Sequence, residues 1–457
     1  MASTTPSASP PQWSSRFAFL MAAVGIAVGL GNLWRFPFQT GQNGGSAFVF
    51  IYLLCVAFIA WPILSAEIAF GRAKRLSAVG STAALARDAG ATRGWGVIGL
   101  VGALASFFVL STYSNVAGQI MAFSLMSLGG VFAADNAGAS LPLYNGPAWG
   151  LFWFTLFLGL TVFVVARGLK DGIERLVTVL MPIFFVLLTV LCAYALWRGA
   201  PGQAIAYLFN PRFDEITPEV VLAALGQAFF SIAVGSAGMI TYGAYLDRKE
   251  DIAANAGVIA GADTLVAIVA GLMIFPIVFA FSLDPGAGMG LIFEALPRVF
   301  SGMAAGNIVG AAFFFLAFIA ALTSSISMLL INTAVAEEWF GWGRVQASLI
   351  IGAICWFVGV GAIFTADAPE LIDFIAGNVL LPLGGLLGAL LAGWVLPREV
   401  MRAELHNASP ATFHVWRFLI RWLSPGAVAL ILVFGIDAQF GGNLAALFGL
   451  NAGGGGH

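Results

Sequence analysis

The chain has 457 residues, of which 60% are hydrophobic and 9% charged, against roughly a quarter charged in an ordinary soluble domain. Twenty basic and 22 acidic residues cannot cover a globule of this size for life in water, so most of the exterior must face another medium. A formal net charge of -2 excludes the clustered basic surface of a nucleic-acid binder.

Residues 1–12, MASTTPSASPPQ, read as a disordered polar tail without the basic, apolar and small-residue pattern of a removable leader. Beyond it the apolar stretches begin. A bilayer core of about 30 Å needs about 20 apolar helical residues per crossing. Eleven such stretches occur, at 16–40, 46–71, 94–129, 147–167, 174–198, 219–246, 254–282, 303–336, 344–364, 370–396 and 412–436. The third and eighth exceed one crossing and are expected to tilt or run on past the membrane. Residues 441–457, ending in LNAGGGGH, read as a flexible C-terminal tail. The predicted fold is therefore an all-α polytopic membrane protein with about eleven transmembrane helices.

Fifteen of the 20 Lys and Arg residues fall in or beside alternate loops on one side, which the positive-inside rule makes cytoplasmic. Arg198, Arg212 and Arg298 fall on the other side, and Arg16 and Arg35 lie in the first stretch. The expectation is a multi-pass protein of the cell inner (plasma) membrane, with its N-terminus cytoplasmic and its C-terminus extracellular or periplasmic.

Two stretches are interrupted alike. The first contains GIAVGLGNLWRFP (Gly25 to Pro37) and the sixth SIAVGSAGMITYG (Ser231 to Gly243), placing glycines in mid-membrane. They lie five stretches apart, as two inverted five-helix repeats with broken helices 1 and 6 would require. The repeats are predicted over 13–200 and 201–397, followed by the eleventh helix in 398–440. The other reading of such glycines is close helix packing.

An ionisable side chain in hydrocarbon costs at least about 2.5 kcal/mol and needs a partner or an aqueous cavity. Arg35, Glu67, Asp263 and Asp373 are in this position. Arg35 and Asp373 fall on the outer side, where they can pair as a gate or snorkel separately. Glu67 can sit at the interface or accept hydrogen bonds from an unwound segment. Asp263, followed by a long uncharged run, suits a hard cation that prefers oxygen ligands, and Asn32, Ser231, Thr323 and Ser324 supply further oxygens.

Enzyme chemistry is poorly provided for. Cys55, Cys192 and Cys355 lie in apolar runs without metal or disulfide spacing. His406 and His414 are in or beside a loop, and no HExxH, GxSxG or GxxxxGK[ST] pattern occurs.

The motifs GLGNLWRFP, QNGGSAF, SAEIAFGR, ASFFVLSTYS, GQAFFSIAVGSAGMITYGAY and AALTSSIS resemble the neurotransmitter:sodium symporter family, particularly its bacterial amino-acid transporters. The resemblance runs from about Trp13 to Leu396. It implies two sodium sites: one from Ala27, Asn32, Ser231 and Asp263 with the substrate carboxylate, the other from Gly25, Val28, Ala320, Thr323 and Ser324. It places Tyr113 and the amides of Leu30 and Gly31 on the substrate carboxylate. The pocket wall becomes Ile26, Val109, Phe229, Phe230, Ala233, Ser236 and Met328, with Ala27, Ser231 and Ser324 also at the substrate.

Monoamine carriers of the family have an Asp where this chain has Gly29, so the resemblance implies a substrate bearing its own carboxylate. A neutral hydrophobic L-amino acid is expected, and Ser236 leaves room for an aromatic side chain. Chloride-dependent relatives have Asn at Asp263 and Ser at Ala267, which implies that chloride is not required and that the Asp263 charge replaces it. For the gates the resemblance offers Arg35 and Asp373 outside, and Trp13, Arg16, Tyr242, Tyr245 and Glu338 inside. The Lys/Arg pair that some relatives carry in the N-terminal tail is missing. The expected partners are the amino acid and the lipid bilayer, with no nucleic acid and no obligate protein partner. The competing expectation is an amino-acid sensor or a channel that uses the same sites without concentrative transport.

Overall fold

Backbone amides in hydrocarbon must find hydrogen-bond partners within their own segment, and the chain meets this requirement with helices. The computed structural model describes residues 12–131, 146–286, 293, 295–303, 305–365 and 367–440. The tails expected at 1–12 and 441–457 lie outside the described residues, apart from Gln12.

In chain order the helices are α1 (Arg16–Ala27), α2 (Gly31–Gln42), α3 (Ser46–Lys74), α4 (Ala78–Asp88), α5 (Arg93–Leu128), α6 (Pro147–Ala166), α7 (Leu169–Arg198), α8 (Pro201–Phe209) and α9 (Pro218–Ser231). There follow α10 (Gly238–Gly243), α11 (Ile252–Ala280), α12 (Leu296–Gly302), α13 (Gly306–Phe340), α14 (Arg344–Phe364), α15 (Ala368–Val395), α16 (Arg398–Glu404) and α17 (Pro410–Asp437). Among the described residues nine helices are long and apolar enough to cross a membrane, and the bent pair α1–α2 brings the number to ten. The sixth expected stretch is helical only in two short pieces, α9 and α10.

Each interruption has a local cause. Ser15 caps α1 by accepting from the Ala18 amide, and α1 ends where Val28 turns extended at φ -77° and ψ 98°. The chain resumes at Gly31 in a wide π-type turn, with a bend of 51° between the two pieces. After α9, Ala233 (φ 55°), Gly235 (φ 85°) and Ala237 (φ 62°) take left-handed backbone conformations that no regular helix continues through. Glycine is required at 235, because a Cβ there would collide with the Leu381 carbonyl of α15. Gly384, one turn on, brings α15 equally close to the Gly235 backbone.

The core sits around α13, with 83% of its most apolar window buried, against 22% for the peripheral α17. α13 lies against α5, α6, α7 and α14, while α1 packs on α7, α11 and α13. One charge locks an end of the bundle. Arg72, 1% exposed, donates to Glu404 Oε2 at 2.8 Å and to the Glu250 carbonyl at 2.5 Å, tying α3 to α16 and to the approach to α11.

Candidate substrate and ion site

The break after Ala27 turns the chain out of the regular helix at Val28, so that the amides of Gly29 and Leu30 are met by the side chains of Asn32 and Tyr113. Side chains from five other helices (α3, α5, α9, α11 and α13) converge on the break. Asp263 on α11 is fully buried. Its carboxylate accepts from Asn32 Nδ2 at 2.7 Å, from the Ser231 hydroxyl at 2.9 and 3.1 Å, and from the Tyr52 hydroxyl at 3.3 Å. Asn32 Nδ2 also reaches Ser231 Oγ and the Asp263 carbonyl at 3.1 Å, while its oxygen accepts from the Gly29 amide at 3.0 Å. Every donor to this carboxylate is neutral, so its negative charge has no cation against it among the described ion pairs. Burying such a charge is expensive unless a counter-charge joins it.

A second group of oxygens forms on the other side of α1. Ser324 Oγ on α13 donates to the Gly25 carbonyl at 3.2 Å, and Thr323 Oγ1 lies 3.1 Å from the carbonyls of Ile319 and Ala320. Gly25 lets α13 approach, since a Cβ there would stand 3.1 Å from Thr323 Cβ. The structure thus brings Gly25, Ala320, Thr323 and Ser324 together, and Val28 belongs to the extended residues just beyond. Both groups consist of oxygen donors, the set a hard monovalent cation takes.

Between them lies an anion-accepting edge. The Leu30 amide donates to Tyr113 Oη at 3.4 Å, and a Cβ on Gly29 would lie 3.0 Å from Ser324 Oγ and 3.5 Å from Tyr113 Oη. Amides at the start of α2 that side chains rather than helical carbonyls take up are suited to a carboxylate. Phe230 covers one side of this edge. Its ring lies against Gly31 and beneath the Arg35 guanidinium, 4.2 Å from ring centroid to Cζ.

The remaining wall residues have defined places. Ile26 packs on Gly238, and Phe229 packs on Gly385 of α15. Val109 stands one turn before Tyr113 and Met328 one turn after Ser324, so each shares a helix face with its polar neighbour. Ser236 is engaged within the linker, donating to the Ala233 carbonyl at 2.6 Å and accepting from the Gly238 amide at 3.2 Å.

Arg35 and Asp373 share no ion pair within 4 Å among the described residues. Asp373 accepts from Thr112 Oγ1 at 2.9 Å, and Arg35 rests on Phe230. At the other end Trp13 is sealed in, its amide donating to the Tyr245 carbonyl and its indole to the Tyr242 carbonyl, both at 3.2 Å. Arg16 and Glu338 are not joined: Arg16 donates to Asn255 at 2.8 Å and faces Glu250 at 3.6 Å, while Glu338 accepts from the Ser77 amide at 2.6 Å. Ser14 bonds to Glu174 instead, its amide donating at 3.1 Å.

Three participants escaped the sequence reading. Tyr52 donates to Asp263; a lone hydroxyl in the apolar run AFVFIYLLC is itself a signal, since it must find a partner. Gln227, one turn before Ser231, donates to the Gly31 carbonyl at 3.2 Å. Gly385 makes room for Phe229. Glu67 accepts from the Gly235 amide at 2.7 Å, so it holds the unwound linker.

A profile of the sodium:neurotransmitter symporter family matches residues 10–137 and 146–442. The sodium-dependent transporter YhdH of Bacillus subtilis is 35% identical over 443 residues, covering 93% of this chain and 97% of the relative. The sodium-dependent nutrient amino acid transporter 1 of Drosophila melanogaster is 25% identical, covering 82% and 69%. Among solved structures, that of MhsT in complex with L-phenylalanine superposes with a TM-score of 0.85 at 38% identity, covering 93% of this chain and 99% of that one.

Proposed function

The chain belongs to the sodium:neurotransmitter symporter family, a family of sodium-coupled membrane transporters and not of enzymes, and on that premise we propose that it imports neutral, hydrophobic L-amino acids, aromatic ones included, by alternating access. The observation that carries this reading is the buried Asp263 carboxylate, held only by neutral donors beside an unwound backbone. A sodium ion supplies the missing positive charge. It would take the place that the Asn32 amide and Ser231 hydroxyl hydrogens fill against the carboxylate, with Ala27 and the substrate carboxylate completing the shell. Gly25, Val28, Ala320, Thr323 and Ser324 would hold a second sodium.

The substrate carboxylate then faces Tyr113 and the amides of Leu30 and Gly31, while its side chain lies among Ile26, Val109, Phe229, Phe230, Ala233, Ser236 and Met328. Shared ligation makes sodium and substrate mutual stabilisers. An aromatic substrate is favoured by the complex of the structural neighbour with L-phenylalanine. Chloride is not required in this reading, because Asp263 brings a fixed negative charge to the first ion site.

Residues 13–200 and 201–397 act as inverted repeats rocking about this site, with the basic loops cytoplasmic. Trp13 with Tyr242 and Tyr245 closes the inner side, and Arg16 and Glu338 act there through separate partners. Phe230 under Arg35, with Asp373 nearby, closes the outer side. The test is thermal unfolding of the purified protein with each of the 20 amino acids, in sodium and in potassium. Stabilisation by leucine, phenylalanine or tryptophan only in sodium supports the reading; stabilisation independent of sodium contradicts it. A sensor would also bind, so transport itself rests on the uptake measurement that closes the Discussion.

A further inference from the structure

The end of the bundle where α15, α16 and α17 meet carries four arginines whose charge the fold does not answer. Arg398, Arg402, Arg417 and Arg421 form no ion pair within 4 Å among the described residues. Arg417 is within charge–charge reach of Arg398 and Arg421, and Glu399 is the carboxylate that faces it. The nearby Glu404 is committed to Arg72 at 2.8 Å. Arg417 and Arg421 follow one face of α17 at helical spacing, a turn after His414, and these two like charges repel rather than support the helix.

The guanidinium groups are also held in place. Arg417 donates to the carbonyls of Ala392 and Leu396 at 2.5 and 3.5 Å, filling orphan acceptors at the end of α15. Arg421 lies against two indoles that pack edge to face, 4.5 Å from the Trp394 ring and 5.6 Å from the Trp422 ring, and its Nε is buried without a hydrogen-bond partner. Arg398 and Arg402 stack on Phe413, and Arg398 reaches His414 Nε2 at 2.8 Å. Side chains fixed in this way lose little further freedom on meeting an anion.

The apolar neighbours decide what that anion is attached to. Trp394, Phe418 and Trp422 are 48, 62 and 56% exposed beside the arginines, and tryptophans at this level mark the junction of headgroups and acyl chains. A free oxyanion has no use for such a surface. We infer that the Arg398–Arg417–Arg421 cluster binds the phosphate of an anionic phospholipid, whose acyl chains lie along Trp394, Phe418 and Trp422. Basic pockets between helix ends bind lipid headgroups by this chemistry, in which Arg forks match phosphate oxygens. The lipid would staple α15 to α17, and α15 carries the glycines against which the Gly235 linker rests.

The full chain in detergent is titrated with phosphatidylglycerol, phosphatidylcholine or inorganic phosphate while thermal unfolding is followed. Phosphatidylglycerol is expected to raise Tm saturably, with an apparent affinity at least about tenfold above that for phosphatidylcholine, and phosphate to leave Tm unchanged. The Arg398→Gln/Arg421→Gln double variant should lose at least about tenfold in phosphatidylglycerol affinity while keeping its response to sodium. Arg93→Gln, a charge removed elsewhere on the chain, should keep both. Should the double variant fail to fold, Arg398→Gln alone, at an exposed side chain, carries the same expectation in smaller degree. An equal response to phosphatidylcholine, a response to phosphate alone, or unaltered lipid affinity in the arginine variants overturns the proposal.

Discussion

Around Asp263 the buried oxygens gather about a carboxyl group, whereas around Thr323 and Ser324 every oxygen is a hydroxyl or a carbonyl. The first cluster joins α2, α3, α9 and α11; the second joins only α1 and α13. Under the proposed function the difference teaches where each ion's energy would come from. At the first cluster a cation would relieve a buried charge and meet the substrate, gaining strength from both. At the second it would trade water for neutral dipoles alone, which implies weaker binding that is easier to release.

The comparison is broken most directly at Asp263. Asp263→Asn removes the charge and leaves the shape, so sodium-driven uptake without chloride is expected to fall at least about tenfold, equivalent to about 1.4 kcal/mol, with chloride restoring part of it. Uptake rates in chloride and in gluconate check both statements. Tyr113→Phe comes next. Losing a hydroxyl from a carboxylate partner costs roughly 1.5–3 kcal/mol, so substrate affinity should drop about tenfold or more while half-activating sodium shifts little, as substrate and sodium titrations would report.

Ser324→Ala, or Thr323→Ala, removes one neutral ligand from the second cluster. The half-activating sodium concentration should rise about fivefold, from roughly 1 kcal/mol. A rise as large as that in an Asp263 variant would erase the distinction between the clusters. The smallest effect is expected at Glu67. Glu67→Gln keeps an acceptor for the Gly235 amide, so Tm should move by only about 2 °C, whereas Glu67→Ala strands that buried amide at about 1–3 kcal/mol and should lower Tm further.

Much of the fold was legible because the bilayer is a simple solvent: length and apolarity mark crossings, and the paired glycine clusters marked both interruptions. The sixth stretch read as one run since its six linker residues, IAVGSA, are as apolar as the helices they join, and hydropathy does not register a left-handed φ. Asp263 stood out as a charge in hydrocarbon. Its partner Tyr52 did not: it lies 211 residues away in sequence, and no local pattern records which helix faces another, whereas Asn32, 231 residues away, was legible beside Asp263 from its place at the glycine break and from the family motif. The contacts around Trp13 show the same limit, with Arg16 and Ser14 bonded to Asn255 and Glu174 across 239 and 160 residues.

The central claim is that a sodium gradient drives amino-acid accumulation through the Asp263 cluster. It is tested most directly by radiolabelled leucine and tryptophan uptake into proteoliposomes with an inward sodium gradient in chloride-free buffer. The account predicts accumulation above the external concentration that collapses when the gradient is dissipated and is lost in Asp263→Asn. Equilibration without accumulation, or accumulation indifferent to sodium, would contradict it.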